Sequence, residues 1–319
     1  MYSQADNHCT EIGADQAGRQ LLERTKTLLR DCRFTLARDR IVVFVCGGRA
    51  KRQAGEPLTW RAAFLEWFST LGDATRIEVF LAEKAYDTAI NAQHGFLNVG
   101  DFEEVLADLS DCVLLFPESA GAHAEAGVFA NSRRKLFEKI LVANERGHHN
   151  SSSFLSRGPL HRFGARSRFS SAIILDPEKV DNPSFETIRR RIEENALKNS
   201  TAIDWTSASD LDLRGKLAVT LSLIRTAGVL CQGDISELLQ ARGLPIPAVE
   251  LSRVLRILRM FRQVESTVRH VYRYADDSHF RATIVGTKGN LTSLTASYRS
   301  YYLRTFPNLL TSVPGGHTG

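Results

Sequence analysis

The sequence predicts an α/β protein with two domains: a doubly wound parallel sheet, then a smaller winged helix-turn-helix domain. The chain has 319 residues, which is more than one ordinary domain needs. Strands and helices alternate over residues 41–175, as in a parallel sheet with right-handed crossovers. The net charge of +5 is uneven, at −4 over residues 41–150 and +7 over residues 211–319. This division indicates two parts with different partners.

The predicted strands of the first domain are short apolar runs. Ile41–Cys46 is an unbroken series of β-branched and aromatic residues without polar alternation. Such a run is typical of a strand that is covered on both faces. The other four strands are predicted at Ile77–Leu81, Cys112–Phe116, Ile140–Ala143 and Ser171–Leu175.

Helices are predicted before and between these strands. Thr59–Leu71 places its aromatic residues at helical spacing. Asp101–Leu109 starts with Asp101 and Glu104 in a capping-box pattern. The remaining predicted helices are Gln16–Ala37, which would pack on the first domain or on a partner, and Ala122–Glu138.

The C-terminal third predicts three helices followed by two strands, which is the order of a winged helix-turn-helix. The strands Val264–Tyr274 and Phe280–Val285 would be joined by the polar turn Asp276-Asp277-Ser278. The helices are predicted at Leu213–Ala227, about 233–242 and Ala248–Arg262. The resulting domains are an N-terminal helical extension (1–40), the α/β domain (41–200), a linker (201–212) and the winged-helix domain (213–319).

Composition argues against several classes of protein. The longest apolar run is far shorter than the ~20 residues of a membrane span. The N-terminus has neither the basic nor the apolar region of a secretory signal. The five cysteines are scattered without any CxxC, which supports neither a zinc site nor a disulfide framework. We therefore expect a cytoplasmic protein with no membrane association and no bound metal.

Candidate site residues follow the predicted strands, because ligands of doubly wound sheets bind beyond the carboxyl ends of the strands. Two carboxylates and a glycine lie where the third strand leads into a helix. Each has an ordinary structural explanation; a glutamate near a helix start, for example, stabilises the helix dipole by about 0.3–1 kcal/mol. The candidates are Cys46, Gly47, Gly48, Glu83, Glu118, Ser119, Gly121, His123 and Glu125.

Gly121–Gly127 resembles the Gly-(Thr/Ser)-x-x-Glu-x-Gly signature of nucleoside 2-deoxyribosyltransferases. The glycine pair after Ile41–Cys46 resembles the ligand loop that follows the first strand of that fold. The resemblance implies that Glu125 is the nucleophile at the anomeric carbon. It also places an acidic residue of the family approximately on Glu118. Ala122 departs from the signature, which has a hydroxyl residue there.

A longer resemblance covers roughly residues 40–300. The segments VFVCGG, EVFLAE, FEEVLADLSDCVLLFPESAGAHAEAGVFAN and SSFLSRGPLHRF, followed by a winged helix, are similar to the effector (toxin) subunit of type II retrons. This resemblance implies an antiphage toxin that acts with a retron reverse transcriptase and its RNA-linked single-stranded DNA (msDNA). It further implies an N-glycosidase with NAD or a related nucleotide as substrate and no cofactor. A homo-oligomer or filament remains open.

The expected chemistry is glycosyl transfer to water, with Glu125 attacking C1′ or stabilising the oxocarbenium-like transition state. Nicotinamide leaves NAD as a neutral base, so it needs no proton. A purine or pyrimidine would need one, and Glu118 is the candidate donor. Two alternatives stay open: an N-glycosidase or deoxyribosyltransferase of nucleosides or nucleotides, and a non-enzymatic DNA-binding regulator that senses a nucleotide.

Arginines follow one another at spacing three along the last predicted helix, and more lie on the predicted wing. At this spacing four arginines wind around about half of the helix. They would bind nucleic-acid phosphates or form salt bridges to a partner protein. Asn and Gln base readers are scarce there, which favours phosphate contacts over operator recognition. The set comprises Arg253, Arg256, Arg259, Arg262, Arg269 and Arg273.

Overall fold

The computed structural model describes most of the chain, and its described residues form two compact units. The α/β unit is Arg38–Thr201, and the terminal unit combines Met1–Ala37 with Ala202–Gly319. The described residues are 12, 15–30, 32–36, 40–51, 54–72, 75–83, 99–146, 152–170, 172–176, 182–196, 203–204, 211–260, 263–268, 271–275, 282–285 and 290–307.

The strands and helices of these residues are numbered in chain order. The strands are β1 (Arg33–Leu36), β2 (Ile41–Cys46), β3 (Ile77–Phe80), β4 (Cys112–Leu115), β5 (Ile140–Glu145), β6 (Ile173–Leu175), β7 (Ile203–Asp204), β8 (Val229–Cys231), β9 (Val264–Val268), β10 (Val271–Tyr274) and β11 (Ala282–Val285). The helices are α1 (Gln16–Arg30), α2 (Trp60–Ser69), α3 (Val99–Leu109), α4 (Ala120–Asn131), α5 (His161–Arg166), α6 (Asn182–Ala196), α7 (Leu213–Ala227), α8 (Gln232–Ala241), α9 (Ala248–Met260) and α10 (Asn290–Thr305).

The α/β unit contains a five-stranded sheet in the order β3-β2-β4-β5-β6. All four strand pairs are parallel, which confirms the predicted parallel sheet. In β4 all four residues are buried, and in β2 only Val42 is partly exposed. An apolar run without alternation therefore marks a strand covered on both faces, as the sequence indicated.

Phe64 of α2 packs at the centre of the aromatic core of the α/β unit. Its ring lies 5.8 Å from that of Phe116 at the end of β4, and 5.7 Å from that of Phe185 on α6. Trp67 and Phe68 pack beside it. The helical spacing of aromatic residues seen in the sequence thus fixes which face of α2 points at the sheet.

Two predicted helices are shorter in the structure. The N-terminal helix ends at Arg30, and Arg33–Leu36 is a strand, because its backbone pairs with β7 and β11. The helix predicted to continue to Glu138 ends at Asn131. The next residue, Ser132, is extended and Lys135 has a left-handed φ of 56°, so the helical path is broken there.

The terminal unit contains the predicted three helices, α7, α8 and α9, and two small sheets. One sheet has the order β8-β10-β9, and the other the order β11-β1-β7. Helix α1 packs on α8 and α10. The hydroxyl groups of Thr25 and Tyr298 form a buried 2.8 Å hydrogen bond between α1 and α10. Residues from both ends of the chain therefore share one core.

The predicted hairpin is wrong in its pairing. Val264–Tyr274 is not one strand but two, β9 and β10, which pair antiparallel with each other. The second predicted strand, β11, pairs with β1 instead. Alternating residues identified strand-forming segments correctly, but a pattern of period two does not specify the partner of a strand. The predicted turn at Asp276–Ser278 lies outside the described residues.

The unit boundaries lie near the predicted domain boundaries, but the grouping differs. The sequence suggested a separate extension over residues 1–40, whereas the structure groups residues 1–37 with the C-terminal unit. The predicted linker 201–212 includes strand β7. Within the part of the chain that the structure describes, no helix is long and apolar enough to cross a membrane.

Replacing Phe64 by alanine tests the importance of this aromatic core. Phe64 is 1% exposed, so Phe64→Ala should lower the free energy of unfolding of the α/β unit by about 3–5 kcal/mol. The matched control is Phe154→Ala, because Phe154 is 86% exposed. This substitution should change the free energy of unfolding by less than about 0.5 kcal/mol. Urea denaturation measures both values. Equal effects would contradict this account of the core.

Candidate active site

A pocket of about 400 Å³ opens at the carboxyl ends of β2 and β3, with α3 and α4 beside it. We call it the carboxylate pocket, because three glutamates line it. This is the edge of the sheet where doubly wound proteins bind their ligands. Its lining residues are Phe44, Val45, Cys46, Gly47, Gly48, Arg49, Arg61, Ala82, Glu83, Phe102, Glu103, Ser119 and Glu125.

Glu125 lies on α4 with its carboxylate in the wall of this pocket. Burial raises the pKa of Glu125, while a hydrogen bond with Cys46 and the charge of Arg61 act in the opposite direction. Its Oε2 atom is buried and has no hydrogen-bond partner among the described residues. An unpaired buried carboxylate oxygen is costly, so it calls for a functional explanation.

Cys46 ends β2 next to Glu125. Burial raises the pKa of its thiol well above the ordinary value, and the charge of Glu125 raises it further. The thiol is therefore protonated and serves as a hydrogen-bond donor to Glu125, not as a nucleophile.

Arg61 brings a buried positive charge to the pocket. It is 4% exposed, and its guanidinium donates to both carboxylate oxygens of Glu83, at 2.6 and 2.8 Å. It also donates to the carbonyl of Gly48 at 2.9 Å. Partial burial raises the pKa of Glu83, but the hydrogen bonds from Arg61, a backbone hydrogen bond and the charge of Arg61 together outweigh it, so the pKa is lowered. Glu83 is therefore held as a charged carboxylate.

Glu103 on α3 is the third glutamate of the pocket. Burial, and then the negative charges of Glu125 and Glu83, raise its pKa to about 7. A carboxyl group with this pKa can gain or lose a proton near neutral pH.

Glu118 has a different position from the one expected of a proton donor. Its Oε1 accepts from the backbone N–H groups of Gly48 and Arg61, both at 3.0 Å, and its Oε2 accepts from that of Trp60 at 2.6 Å. These bonds fix the loop after β2 and the first turn of α2. The contacts of Glu118 are those of a structural anchor, and it does not line the carboxylate pocket.

The glycine pair after β2 permits this close packing. A Cβ atom on Gly48 would lie 2.9 Å from Thr59 Cγ2 and 3.1 Å from Glu118 Oε1. One on Gly47 would lie 3.0 Å from the Cβ atom of Arg61. A side chain at either position would displace the loop from the residues that form the pocket.

A second cavity of about 520 Å³ lies beyond β4 and β5, on the other side of the first turn of α4. His123 lines this cavity, as Glu118 does, and its Nε2 lies 3.1 Å from the carbonyl of Pro117. Gly121 is exposed on α4 and lines neither cavity. The structure thus gathers Cys46, Gly47, Gly48, Glu83, Ser119 and Glu125 in the carboxylate pocket and places Glu118, Gly121 and His123 elsewhere.

Sequence reasoning missed Arg61 and Glu103, although each carried a signal. Arg61 is a lone arginine on an aromatic, apolar helix, which hints at a buried charge with a partner. Glu103 stands three and four residues before the buried Leu106 and Ala107, which places it on the buried face of α3. The capping box predicted at Asp101 and Glu104 is wrong, because the helix begins earlier, at Val99.

The predicted nucleic-acid surface is described in part. On α9, Arg253 is exposed, and Arg256 and Arg259 are half-buried. Arg273 on β10 forms an ion pair with Glu265 of the neighbouring strand β9. Arg262 and Arg269 lie outside the described residues.

Comparison with known proteins assigns the chain to a family. The profile of the STM3845 retron effector proteins matches residues 57–266, most of the chain. The chain therefore belongs to the STM3845 retron effector family.

Two curated relatives from Escherichia coli are similar to parts of the chain. It is 25% identical over 214 residues to "Retron Ec86 putative ribosyltransferase/DNA-binding protein", which covers 66% of this chain and 60% of that protein. It is 28% identical over 129 residues to "Retron Ec73 putative ribosyltransferase/DNA-binding protein", which covers 40% and 39%. The chain thus matches less than two thirds of the length of either relative.

Replacing Glu103 by glutamine tests its raised pKa. Between pH 4.5 and about 7 the folded protein binds this proton more tightly than the unfolded chain, so this group lowers stability as pH rises through that window. Glutamine does not ionise, so the Glu103→Gln variant does not lose stability in this way as pH rises. The variant should therefore be more stable than the unmodified protein at pH 8 and similar to it at pH 4.5.

The measurement is urea denaturation at both pH values. Glu104→Gln is the matched control, because the neighbouring side chain does not line the pocket. A stabilisation by Glu103→Gln of the same size at both pH values would contradict the raised pKa.

Proposed function

We propose that this retron effector is an N-glycosidase that cleaves NAD or a related nucleotide, with Glu125 as the nucleophile. The observation that carries the proposal is the buried, unpaired Oε2 of Glu125 in a pocket at the ligand-binding edge of the sheet. The names of the relatives, which include ribosyltransferase, support glycosyl-transfer chemistry. A protein that only sensed a nucleotide would have no need for such a carboxylate.

In the proposed reaction, Glu125 Oε2 bonds to C1′ of the ribose as the C1′–N bond breaks. The bonding electrons leave with nicotinamide, which departs as a neutral base. Water then bonds to C1′, the ester bond to Glu125 breaks, and the carboxylate is restored. The Cys46 thiol forms a hydrogen bond with Glu125, while Glu125 Oε2 has no hydrogen-bond partner among the described residues.

Glu103 is the better candidate for proton transfer than Glu118. The oxygens of Glu118 already accept three backbone hydrogen bonds, and it lies outside the pocket. Glu103 lines the pocket, and its pKa of about 7 suits both gain and loss of a proton at neutral pH. It would accept the proton of the attacking water, or protonate the base of a nucleotide that leaves less readily.

The charges of the pocket favour a cationic substrate. Arg61 pairs with Glu83, so the attacking carboxylate of Glu125 in the proposed reaction has no bidentate cation of its own. A pyridinium ring placed beside Glu125 would supply the second positive charge, and this attraction disappears when the neutral base has formed. In this proposal the toxin acts in antiphage defence and is controlled by the retron reverse transcriptase and its msDNA.

Glu125→Gln should reduce nicotinamide release from NAD by at least about 10³-fold, because an amide is a far weaker nucleophile. The assay uses the purified protein and also the assembled retron complex, with nicotinamide measured by chromatography. The same substitution should abolish cellular toxicity without lowering the free energy of unfolding in urea by more than about 0.5 kcal/mol.

The matched control for this experiment is Glu138→Gln, a glutamate in the same unit that does not line the pocket. It should retain full activity. Undiminished cleavage by Glu125→Gln would refute the assignment of the nucleophile.

We also propose that the terminal unit is a winged helix that contacts nucleic acid through α9. Helices α7, α8 and α9 followed by the β9–β10 hairpin have the order expected of that fold. Arg253, Arg256 and Arg259 lie along one helix, and the net charge of residues 211–319 is +7. The wing is thus β9–β10, and Arg273 acts within it as the ion-pair partner of Glu265.

Salt dependence distinguishes phosphate contacts from binding to a protein partner. Affinity for single-stranded DNA should fall steeply between 50 and 200 mM salt, since each phosphate contact releases a counterion. The double variant Arg253→Gln/Arg259→Gln should lower the magnitude of the slope of log K against log salt by about 1.4, since each phosphate contact on a single strand contributes about 0.7. Arg190→Gln, an exposed arginine of the other unit, is the control. A flat salt response would refute nucleic-acid contact by this surface.

A further inference from the structure

The second cavity contains a buried polar side chain that has no assigned role. Asn144 on β5 is 3% exposed and lines this cavity, and no hydrogen bond joins its side chain to any described residue. An amide offers two N–H donors and a carbonyl acceptor to a molecule in that cavity. Such a group at a cavity wall indicates a ligand with a matching donor and acceptor.

The lining of the second cavity fits a neutral heterocycle. Pro117, Leu155 and Leu160 supply apolar walls, and Ser153 and Ser156 supply hydroxyl groups. No lysine or arginine lines it among the described residues, so the lining offers no cation for a phosphate. A volume of about 520 Å³ suits one nucleoside. The paired donor and acceptor of an asparagine amide match those on the edge of an adenine ring.

The two cavities flank the first turn of α4. Ser119 borders the carboxylate pocket and caps this helix, accepting from the N–H of Ala122 at 3.1 Å, while His123 borders the second cavity. The first N–H groups of a helix have no partner within it and attract phosphate. The space above Gly121 is open, since an added Cβ atom would meet nothing nearer than Ser119 Oγ at 3.9 Å.

We propose that the second cavity binds the second nucleoside of a dinucleotide substrate, with the diphosphate at the start of α4 and the cleaved glycoside in the carboxylate pocket. This inference rests on the proposed function and deepens it. The enzyme is then specific for dinucleotides, and Asn144 is a specificity residue that reads the distal base.

The test compares NAD with nicotinamide mononucleotide, using the assembled complex. The unmodified protein should show at least a tenfold higher kcat/KM for NAD. Asn144→Leu should reduce kcat/KM for NAD at least tenfold more than for the mononucleotide, mainly through KM. Asn131→Leu, a control on the exposed end of α4, should leave both values unchanged.

A second variant keeps the test decisive if Asn144→Leu does not fold. Ser153 is exposed, so Ser153→Trp should be tolerated and should fill the cavity, with the same selective loss for NAD. Equal effects on the two substrates, or no preference of the unmodified protein for NAD, would overturn the proposal.

Direct binding separates failure of this inference from failure of the proposed function. If neither substrate is cleaved, calorimetry with adenosine monophosphate still tests the cavity. Binding that is retained in Glu125→Gln and lost in Asn144→Leu supports the second site even without catalysis. Absence of binding to the unmodified protein overturns it.

Discussion

The site depends on one carboxylate that takes no part in the proposed reaction. Glu118, at the end of β4, accepts the backbone N–H groups of Gly48, Trp60 and Arg61. These three bonds join the ends of two parallel strands to the start of α2. The backbone of Arg61 lies in this anchored turn, and its side chain extends from there to Glu83. The position of the buried guanidinium therefore depends on Glu118. Glu118 thus fixes the backbone of Gly48 and Arg61, and this backbone forms part of the wall of the carboxylate pocket.

Three glutamates in one pocket have three different electrostatic environments. Glu83 has a bidentate arginine partner and a lowered pKa. Glu125 is largely buried and forms a hydrogen bond with the thiol of Cys46. Glu103 is close enough to both for their negative charges to raise its pKa. The pKa of Glu83 is lowered, whereas those of Glu103 and Glu125 are raised. In the proposed reaction Glu83 attracts the substrate, Glu125 attacks it and Glu103 exchanges a proton. The end of β3 and the helices α3 and α4 together bring the three side chains into one pocket.

The sequence predicted what depends on local composition or on a short signature. Ile41–Cys46 was identified exactly as the structure has it, since an unbroken apolar run excludes solvent from both faces. Glu125 is indicated by the resemblance of Gly121–Gly127 to the nucleoside 2-deoxyribosyltransferase signature, and it lines the pocket. The bonding of Glu118 was not predictable, because its partners come from segments far away in sequence. The pairing of β1 with β11 was not predicted for the same reason: the two strands are far apart in sequence, and the residue pattern of a strand does not specify which strand it pairs with.

The antiparallel pairing of β1 with β7 has a consequence for biosynthesis. Leu36 lies opposite Ile203, so the chain leaves the terminal unit and returns to it at adjacent strand positions, with the whole α/β unit inserted between them. On the ribosome, the inserted unit is complete while β1 still lacks both neighbours, and β11 is translated last of the three strands. Domains fold as they emerge. A nascent chain synthesised as far as residue 201 therefore contains every residue of the carboxylate pocket before the terminal unit is complete.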